Sequence, residues 1–442
     1  MRAMKDSGSE WIGQIPQEWN TSRLRSRFVF GKGLPITKAD LTESGIGVVS
    51  YGQIHSKANI GTTIKPELVR YVDTKYLNTN QSSLVTNGDF IFADTSEDLS
   101  GCGNCVYVDV SSTLFAGYHT MILRPMGKAS TKYYSYLFAT DAWRSQIRAQ
   151  ASGVKLFSIT QKMLRDALLI EPSEEEKERI VRYLDEKSSA IDALIAAKEK
   201  TNALLKERRQ SIIYEAVTKG LNPDAPMKDS GIEWIGQIPE NWDLLRLRFL
   251  GSFQNGISKA GEFFGSGYPF VTYGDVYKNE VLPSTPSGLV ESTETERELY
   301  SVQKGDIFFT RTSETKEEIG IVSVCKDTIS NATFAGFLIR MRPITNAVST
   351  DFFRYYFSCG LQREYFSKEM TLVTRASLGQ DLLKNMVVTI PSEEEQQMIV
   401  HYLDEQTQAI DSIIASNDVS IQKLKEYRQS IIYEAVTGKI EV

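Results

Sequence analysis

Residues 4–19 read MKDSGSEWIGQIPQEW and residues 227–242 read MKDSGIEWIGQIPENW, identical at 13 of 16 positions. A second block recurs without change: residues 209–218 and 428–437 both read RQSIIYEAVT. PSEE runs also recur, at Pro172–Glu175 and Pro391–Glu394. The segments between these blocks are related only weakly. NGDFIFADTSE (87–97) parallels KGDIFFTRTSE (304–314), and Phe115-Ala116-Gly117 parallels Phe334-Ala335-Gly336. A period of about 220 residues is far too long for a solenoid. The chain is therefore two copies of one domain-plus-appendage unit, with near-identical ends and divergent middles.

The appendages read as long helices. Pro172-Ser173-Glu174-Glu175-Glu176 is a helix start, with Ser173 as cap and acids in the first turn. Apolar residues follow at Ile180, Leu184, Ile191, Leu194, Leu205 and Ile212, matched by Ile399, Leu403, Ile410, Ile413, Leu424 and Ile431. Steps of 4, 7, 3, 11 and 7 residues, sums of threes and fours, make this a heptad seam. Gly220 and Pro223 stop the first helix. About 45 residues at about 1.5 Å rise span about 70 Å, too long for one small domain to bury. The simplest partner for one such helix is the other. Lys198, Thr201 and Arg208, with Asn417, Ser420 and Tyr427, are polar or bulky interruptions of that seam, of the kind that sets register or lies near solvent.

The middle segments read as α+β. Short apolar runs (Gly47–Tyr51, Asp89–Phe92, Met121–Leu123) alternate with Gly-, Asn- and Ser-rich turns. Tyr133–Gln150 and Asp351–Ser367 read as amphipathic aromatic helices, and Leu221–Pro226 as the linker between halves. The expected fold class is α+β: two similar domains of small mixed sheets with helices, two long helices paired as an antiparallel coiled coil, and an internal pseudo-twofold duplication. The expected boundaries are 1–172, 173–220, 221–391 and 392–442.

Composition and motifs narrow the chemistry. The 442 residues are 41 % hydrophobic and 24 % charged, a globular balance. No apolar run approaches the roughly 20 residues needed to span a bilayer. Without an apolar leader after Met1, and with four cysteines in so long a chain, a cytoplasmic location is expected. The formal charge of −6 is uneven. Residues 1–170 carry net +5, 171–220 net −1, 221–390 net −4 and 391–442 net −6. No phosphate loop, dinucleotide fingerprint, GxSxG elbow or HExxH helix is present. Asn222-Pro223-Asp224-Ala225 departs from an adenine-methylation Asn-Pro-Pro-aromatic motif at its third residue. Cys102-Gly103-Asn104-Cys105 supplies two metal ligands where zinc needs four, and Cys325 and Cys359 lie in the other half. The acidic run 174–176 recurs at 393–395 and reads as helix capping rather than nuclease carboxylates. The expectation is a chain with no catalytic residue and no metal.

The EWIGQIPxxW blocks (10–19 and 233–242), the GD[FI][IF]F strands, the PSEEE…IVxYLDE…RQSIIYEAVT helices and the ending Ala435–Ile440 resemble the specificity subunits of type I restriction–modification systems. The likeness covers essentially the whole chain in the family's order. It implies a non-catalytic subunit whose two recognition domains each read one half of an asymmetric bipartite target in double-stranded DNA. The paired helices would set half-site spacing and dock two modification (methyltransferase) subunits. S-adenosylmethionine, and ATP with Mg where a restriction subunit exists, belong to partner subunits, leaving this chain without a cofactor or a membrane role. Half-sites read on one face of B-DNA lie roughly 34–36 Å apart.

Base reading needs polar side chains on loops. In the first half the candidates are Lys32, Lys38, Tyr51, Gln53, Thr95, Ser96, Tyr118, His119 and Lys155. In the second they are Asn255, Lys259, Tyr273, Asp275, Arg311, Thr312, Ser313 and Arg375.

Overall fold

A computed structural model describes the chain except for residues 1, 111, 128–129, 314–318, 346, 348 and 370–375; for 313, 367–369 and 376 it describes the backbone alone. The chain divides into two compact units, Met1–Lys198 with Val419–Val442, and Glu199–Asp418. Each long helix, Glu174–Lys219 and Glu393–Val436, contributes one part to each unit.

Unit 1 holds an antiparallel four-stranded sheet in the order Cys105–Tyr107, Phe90–Ala93, Thr120–Pro125, Phe28–Lys32. A five-stranded mixed sheet runs Leu41–Thr42, Arg70–Val72, Ile46–Val49, Leu114–Ala116, Leu84–Val85, its third and fourth strands parallel. The GD motif explains itself here. Asp89 caps the turn before its strand, accepting from the Thr86 amide at 2.9 Å, and faces Arg124 at 3.5 Å.

Unit 2 repeats the first sheet as Gly251–Asn255, Leu338–Pro343, Ile307–Thr310, Val322–Val324. Asp306 repeats the cap, accepting from the Gln303 amide at 2.7 Å and binding Arg342 through both oxygens at 2.7 Å. The second sheet differs: among the described residues it has three strands, Gly288–Val290, Phe264–Val271 and Thr333–Phe334. The framework sheet is thus conserved and the outer sheet is where the copies part.

The opening blocks pack on helix ends. In unit 1, Trp19 is buried and its indole donates to Glu176 at 2.8 Å, while the Tyr133 hydroxyl donates to the Val436 carbonyl at 2.9 Å. Gly438 ends the second helix at φ +71°, where a Cβ would sit 2.3 Å from Pro16. Gly220 ends the first helix at φ +74° against Trp242 of unit 2. Glycine is needed at both ends for the left-handed turn and for the close approach. Ser173 and Ser392 cap the helices, accepting from the Glu176 and Glu395 amides at 3.2 Å, so the acids are helix-start residues.

Within each unit the two helix parts pack antiparallel. Asp192 pairs with Arg428 in unit 1. In unit 2, Asn202 donates to Asp418 and accepts from Asn417, both at 2.9 Å, and Arg209 meets Asp411 at 3.2 Å. Residue numbers rise on one helix as they fall on the other. Ile180, Leu184, Ile191, Ile212, Ile399, Leu403, Ile410 and Ile431 are buried in the cores, with Leu205 and Leu424 packed against them.

Two seam assignments are corrected. Leu194 and Ile413 are 54 % and 49 % exposed, and their neighbours Ile195 and Ile414 face the core instead. Thr201 and Arg208 are likewise exposed, with Asn202 and Arg209 on the seam, and Tyr427 yields to Arg428. The steps run four-then-three from Ile191, not three-then-four. Leu194-Ile195 and Ile413-Ile414 place two apolar residues side by side, so hydrophobicity alone did not separate the two frames. The expected single aromatic helices are also corrected to pairs. Lys132–Ala139 stops at Thr140, whose hydroxyl accepts from the Trp143 amide to start Asp141–Arg148. Thr350–Ser358 is cut from Leu361–Glu369 by Gly360 at φ +91°.

Candidate nucleic-acid interface

Four of the expected first-half residues meet in unit 1. Strand Ile46–Val49 runs into the short helix Tyr51–Ile54, and the Leu114–Ala116 strand beside it leads into Tyr118 and His119. The Tyr51 ring lies 5.7 Å from Tyr118 and 5.3 Å from His119, both edge-on. Beyond the end of strand Phe90–Ala93, the Asp94 carboxylate accepts from Thr95 Oγ1 at 2.8 Å and lies 3.3 Å from His119 Nδ1. His119 adopts φ +54°, a backbone region that non-glycine residues rarely occupy and that concentrates at functional loops. Burial, followed by the neighbouring Tyr51, pushes the Tyr118 phenol up, so it stays a neutral hydroxyl.

A residue outside the expected set stiffens this cluster. His55 Nε2 donates to the Thr95 carbonyl at 2.9 Å, and its Nδ1 accepts from Asn104 Nδ2 at 3.1 Å. With a carbonyl as its partner, Nε2 carries a hydrogen, and the two contacts fix the ring's orientation. His55 also lines a cleft of about 610 Å³ together with Tyr51, Lys57, Asn104, Arg144 and Arg148. Burial pushes the Cys105 thiol up to about 12, against the pull of Arg144, so it is a poor thiolate. Among the described residues no cluster of three or more His, Cys, Asp or Glu could hold a metal ion.

Elsewhere in unit 1, Lys32 and Lys38 are exposed, at the end of a framework strand and in a one-turn helix. Lys155 is exposed in a loop beside Val154, which is 96 % exposed. The loop leads into Phe157–Ser158, paired with Thr95–Ser96. In unit 2, Arg311 and Thr312 stand where strand Ile307–Thr310 ends, and Thr312 pairs with Ser377. The Tyr273 ring stacks on Tyr277 at 5.8 Å. Asn255 ends a framework strand and accepts from Gln380 at 3.0 Å. The Ser313 side chain and all of Arg375 lie outside the described residues.

Four candidates have polar atoms that the fold already uses. Ser96 is buried and its hydroxyl donates to the Asp98 carbonyl at 2.7 Å. Asp275 is 5 % exposed and accepts from Thr272 and Ser287, capping the helix Tyr273–Lys278. Gln53 plays the matching part, accepting from the Ser50 amide at 2.9 Å. Lys259 donates to Glu296 at 2.7 Å and to the Glu291 carbonyl at 2.6 Å. Turn chemistry explains three of the four: Ser96, Asp275 and Gln53 bond backbone groups two or three residues away, whereas Lys259 is held by a long-range ion pair. Asp94, His55 and Asn104 join the cluster from outside the expected set. Asp94 had a readable signal, as one of two mismatched residues, and the one where charge reverses, between the parallel runs ADTSE and TRTSE.

Two copies of one framework, each ending in a loop face unlike its twin's, define a duplicated recognition scaffold. The family model for the type I restriction modification DNA specificity domain matches residues 16–206 and 239–419, and the chain belongs to that family. The EcoBI specificity subunit of Escherichia coli is 25 % identical over 70 % of this chain and 66 % of its own length. The EcoKI specificity subunit of Escherichia coli K12 is 22 % identical over 81 % and 76 %. The StySPI specificity subunit of Salmonella potsdam is 21 % identical over 97 % and 90 %. Among solved structures, a chain from a study of complex assembly and conformational transition of the type I R-M system superposes with TM-score 0.71, at 18 % identity over 96 % of this chain and 99 % of that one. The HsdS subunit from Thermoanaerobacter tengcongensis gives 0.51, at 18 % identity over 96 % and 98 %. These two likenesses bear on the fold.

Proposed function

We propose that this chain is the DNA target-recognition subunit of a type I restriction–modification complex, that each unit reads one half of a bipartite sequence, and that the chain itself is non-catalytic. One observation carries the reading: the same sheet, caps and helix ends occur twice, while the loop faces they hold differ in chemistry. Equal scaffolds place the two faces alike on a duplex, and unlike side chains read different bases. The near-identical opening blocks and helix ends suit two copies of one partner, a pair of methyltransferase subunits that bring S-adenosylmethionine; a restriction subunit would bring ATP and Mg. The net charge of −6 fits a reader whose phosphate contacts come largely from such partners. Among the described residues no helix is long and apolar enough to cross a membrane, and the complex is assigned to the cytoplasm, where its DNA lies.

The test is to incubate the purified chain with DNA and labelled S-adenosylmethionine, alone and with its methyltransferase partner. The chain alone should transfer no methyl group and cut no DNA. With the partner, methylation should appear, and light scattering should give a complex of one chain with two partners. Methylation or cleavage by the chain alone would overturn the reading.

A further inference from the structure

The two units share backbone hydrogen bonds at the point where their side chains differ most. In unit 1 the Asp94 amide donates to the His119 carbonyl at 3.1 Å, and the Asp94 carbonyl accepts from Ile159 at 2.8 Å. In unit 2 the Arg311 amide donates to the Phe337 carbonyl at 2.9 Å, and the Arg311 carbonyl accepts from Leu378 at 2.7 Å. The next two residues pair with a short strand in both units, Thr95–Ser96 with Phe157–Ser158 and Thr312–Ser313 with Ala376–Ser377. Asp94 and Arg311 therefore occupy one framework position, and His119 and Phe337 another.

The shared backbone bonds do not require these side chains, whose partners in unit 1 are one another, Thr95 and the Tyr51 and Tyr118 rings. The His119 side chain is 57 % exposed and that of Asp94 33 %. Phe337 is 63 % exposed, so its ring is available to a partner and contributes little to the core. The Arg311 guanidinium makes no hydrogen bond or ion pair with any described residue. A carboxylate has become a guanidinium, and an imidazole a phenyl ring, at two adjacent, locked, solvent-facing positions.

We infer that these two positions form the base-reading pair of each unit, an inference that rests on the chain being a DNA reader. Asp94 accepts from the exocyclic amino group of a cytosine or adenine in the major groove, with His119 beside it. Arg311 donates to O6 and N7 of a guanine, and Phe337 packs on a thymine methyl group. The Tyr51 and Tyr118 rings hold His119 from behind, so the first pair is pre-positioned before DNA arrives.

The test uses the full chain in complex with its methyltransferase subunits, selecting targets from a random double-stranded DNA library. The variants are the double exchange Asp94→Arg with His119→Phe, and the near-isosteric Asp94→Asn. The double exchange should alter one or two adjacent base pairs of one half-site toward guanine, by about 10- to 100-fold, and leave the other half-site unchanged. Asp94→Asn should shift the same position toward adenine, which an amide reads through N6 and N7, and it decides the matter if the double variant does not fold. An unchanged target preference in a folded variant would overturn the pair while the wild-type target still stood. A wild-type complex without any sequence preference would instead overturn the underlying reading, and the pair with it.

Discussion

Replacing residues 20–170 by the matching segment of a relative with a different DNA target is expected to rewrite one half of the recognised sequence and leave the other intact. The junctions fall within one structural feature. Strand Asn20–Arg23 pairs with Leu168–Glu171, so a graft of 20–170 carries the first strand, all of the second but Glu171, and everything they enclose. What remains is the recurrent framework: the opening block, with Trp19 bonded to Glu176, and the two helix parts of unit 1. Each wrong base pair typically weakens specific binding by about 1–3 kcal/mol, so a half-site of several base pairs changes by about 10³-fold or more. The measurement is methylation of a panel of duplexes in which each half-site is varied separately. Altered preference in the half-site read by unit 2 would show that the units are not independent readers.

The second large effect is on stability. Lys177 is 2 % exposed and donates to Glu171 at 2.9 Å, to the Tyr134 hydroxyl at 3.0 Å and to Glu174 at 2.9 Å. Glu171 is 6 % exposed and accepts also from Ser22, Tyr134 and Arg27. Burial works against both charges, but their mutual hydrogen bonds outweigh it, raising the Lys177 ammonium and lowering the Glu171 carboxyl from their ordinary ranges. Lys177→Met removes the buried cationic donor to Glu171 and leaves Arg27, Ser22 and Tyr134, a loss of about 1.5–3 kcal/mol. Urea denaturation should show it.

The pH dependence follows from the direction of the Glu171 shift. A depressed carboxyl stabilises the fold above its unfolded pKa of about 4.3 and loses that contribution as pH falls through its folded value. Burial raises the Glu171 carboxyl and the Lys177 hydrogen bond is the largest influence lowering it, so Lys177→Met costs most at neutral pH and less as pH falls through the folded value. Unit 2 offers a built-in control. Its matching residues are Gln396 and Ile390, and Gln396 bonds Ala347 and Pro391 carbonyls at 2.7 and 3.0 Å without any charge. Lys177→Gln combined with Glu171→Ile should therefore recover much of the loss. A Lys177→Met variant within 0.5 kcal/mol of wild type, about what a surface change costs, would contradict this account of the network.

Much of the architecture was legible because duplication exposes what a fold requires. Residues unchanged between copies, such as Trp19 and Trp242, proved to be buried, and Ser173 and Ser392 proved to be caps. The coiled-coil frame was harder, since Leu194 and Ile195 satisfy either spacing and the packing of the surrounding core decides between them. Loop residues were harder still. Ser96 and Asp275 are types that read bases, and the same hydrogen-bonding capacity serves turns that only coordinates reveal. Asp94 shows only as a charge reversal against Arg311 in otherwise parallel runs, and Phe337 has no local mark at all, since no propensity marks a reader. Their significance comes from the identical backbone bonds at Arg311 and His119, which are long-range contacts.

The most direct measurement of the central claim is the set of sequences that the chain, assembled with its methyltransferase subunits, selects from a random double-stranded DNA library. The account predicts two short unlike blocks separated by a fixed number of unspecified base pairs. A single contiguous block, two identical blocks, or no enrichment at all would contradict it.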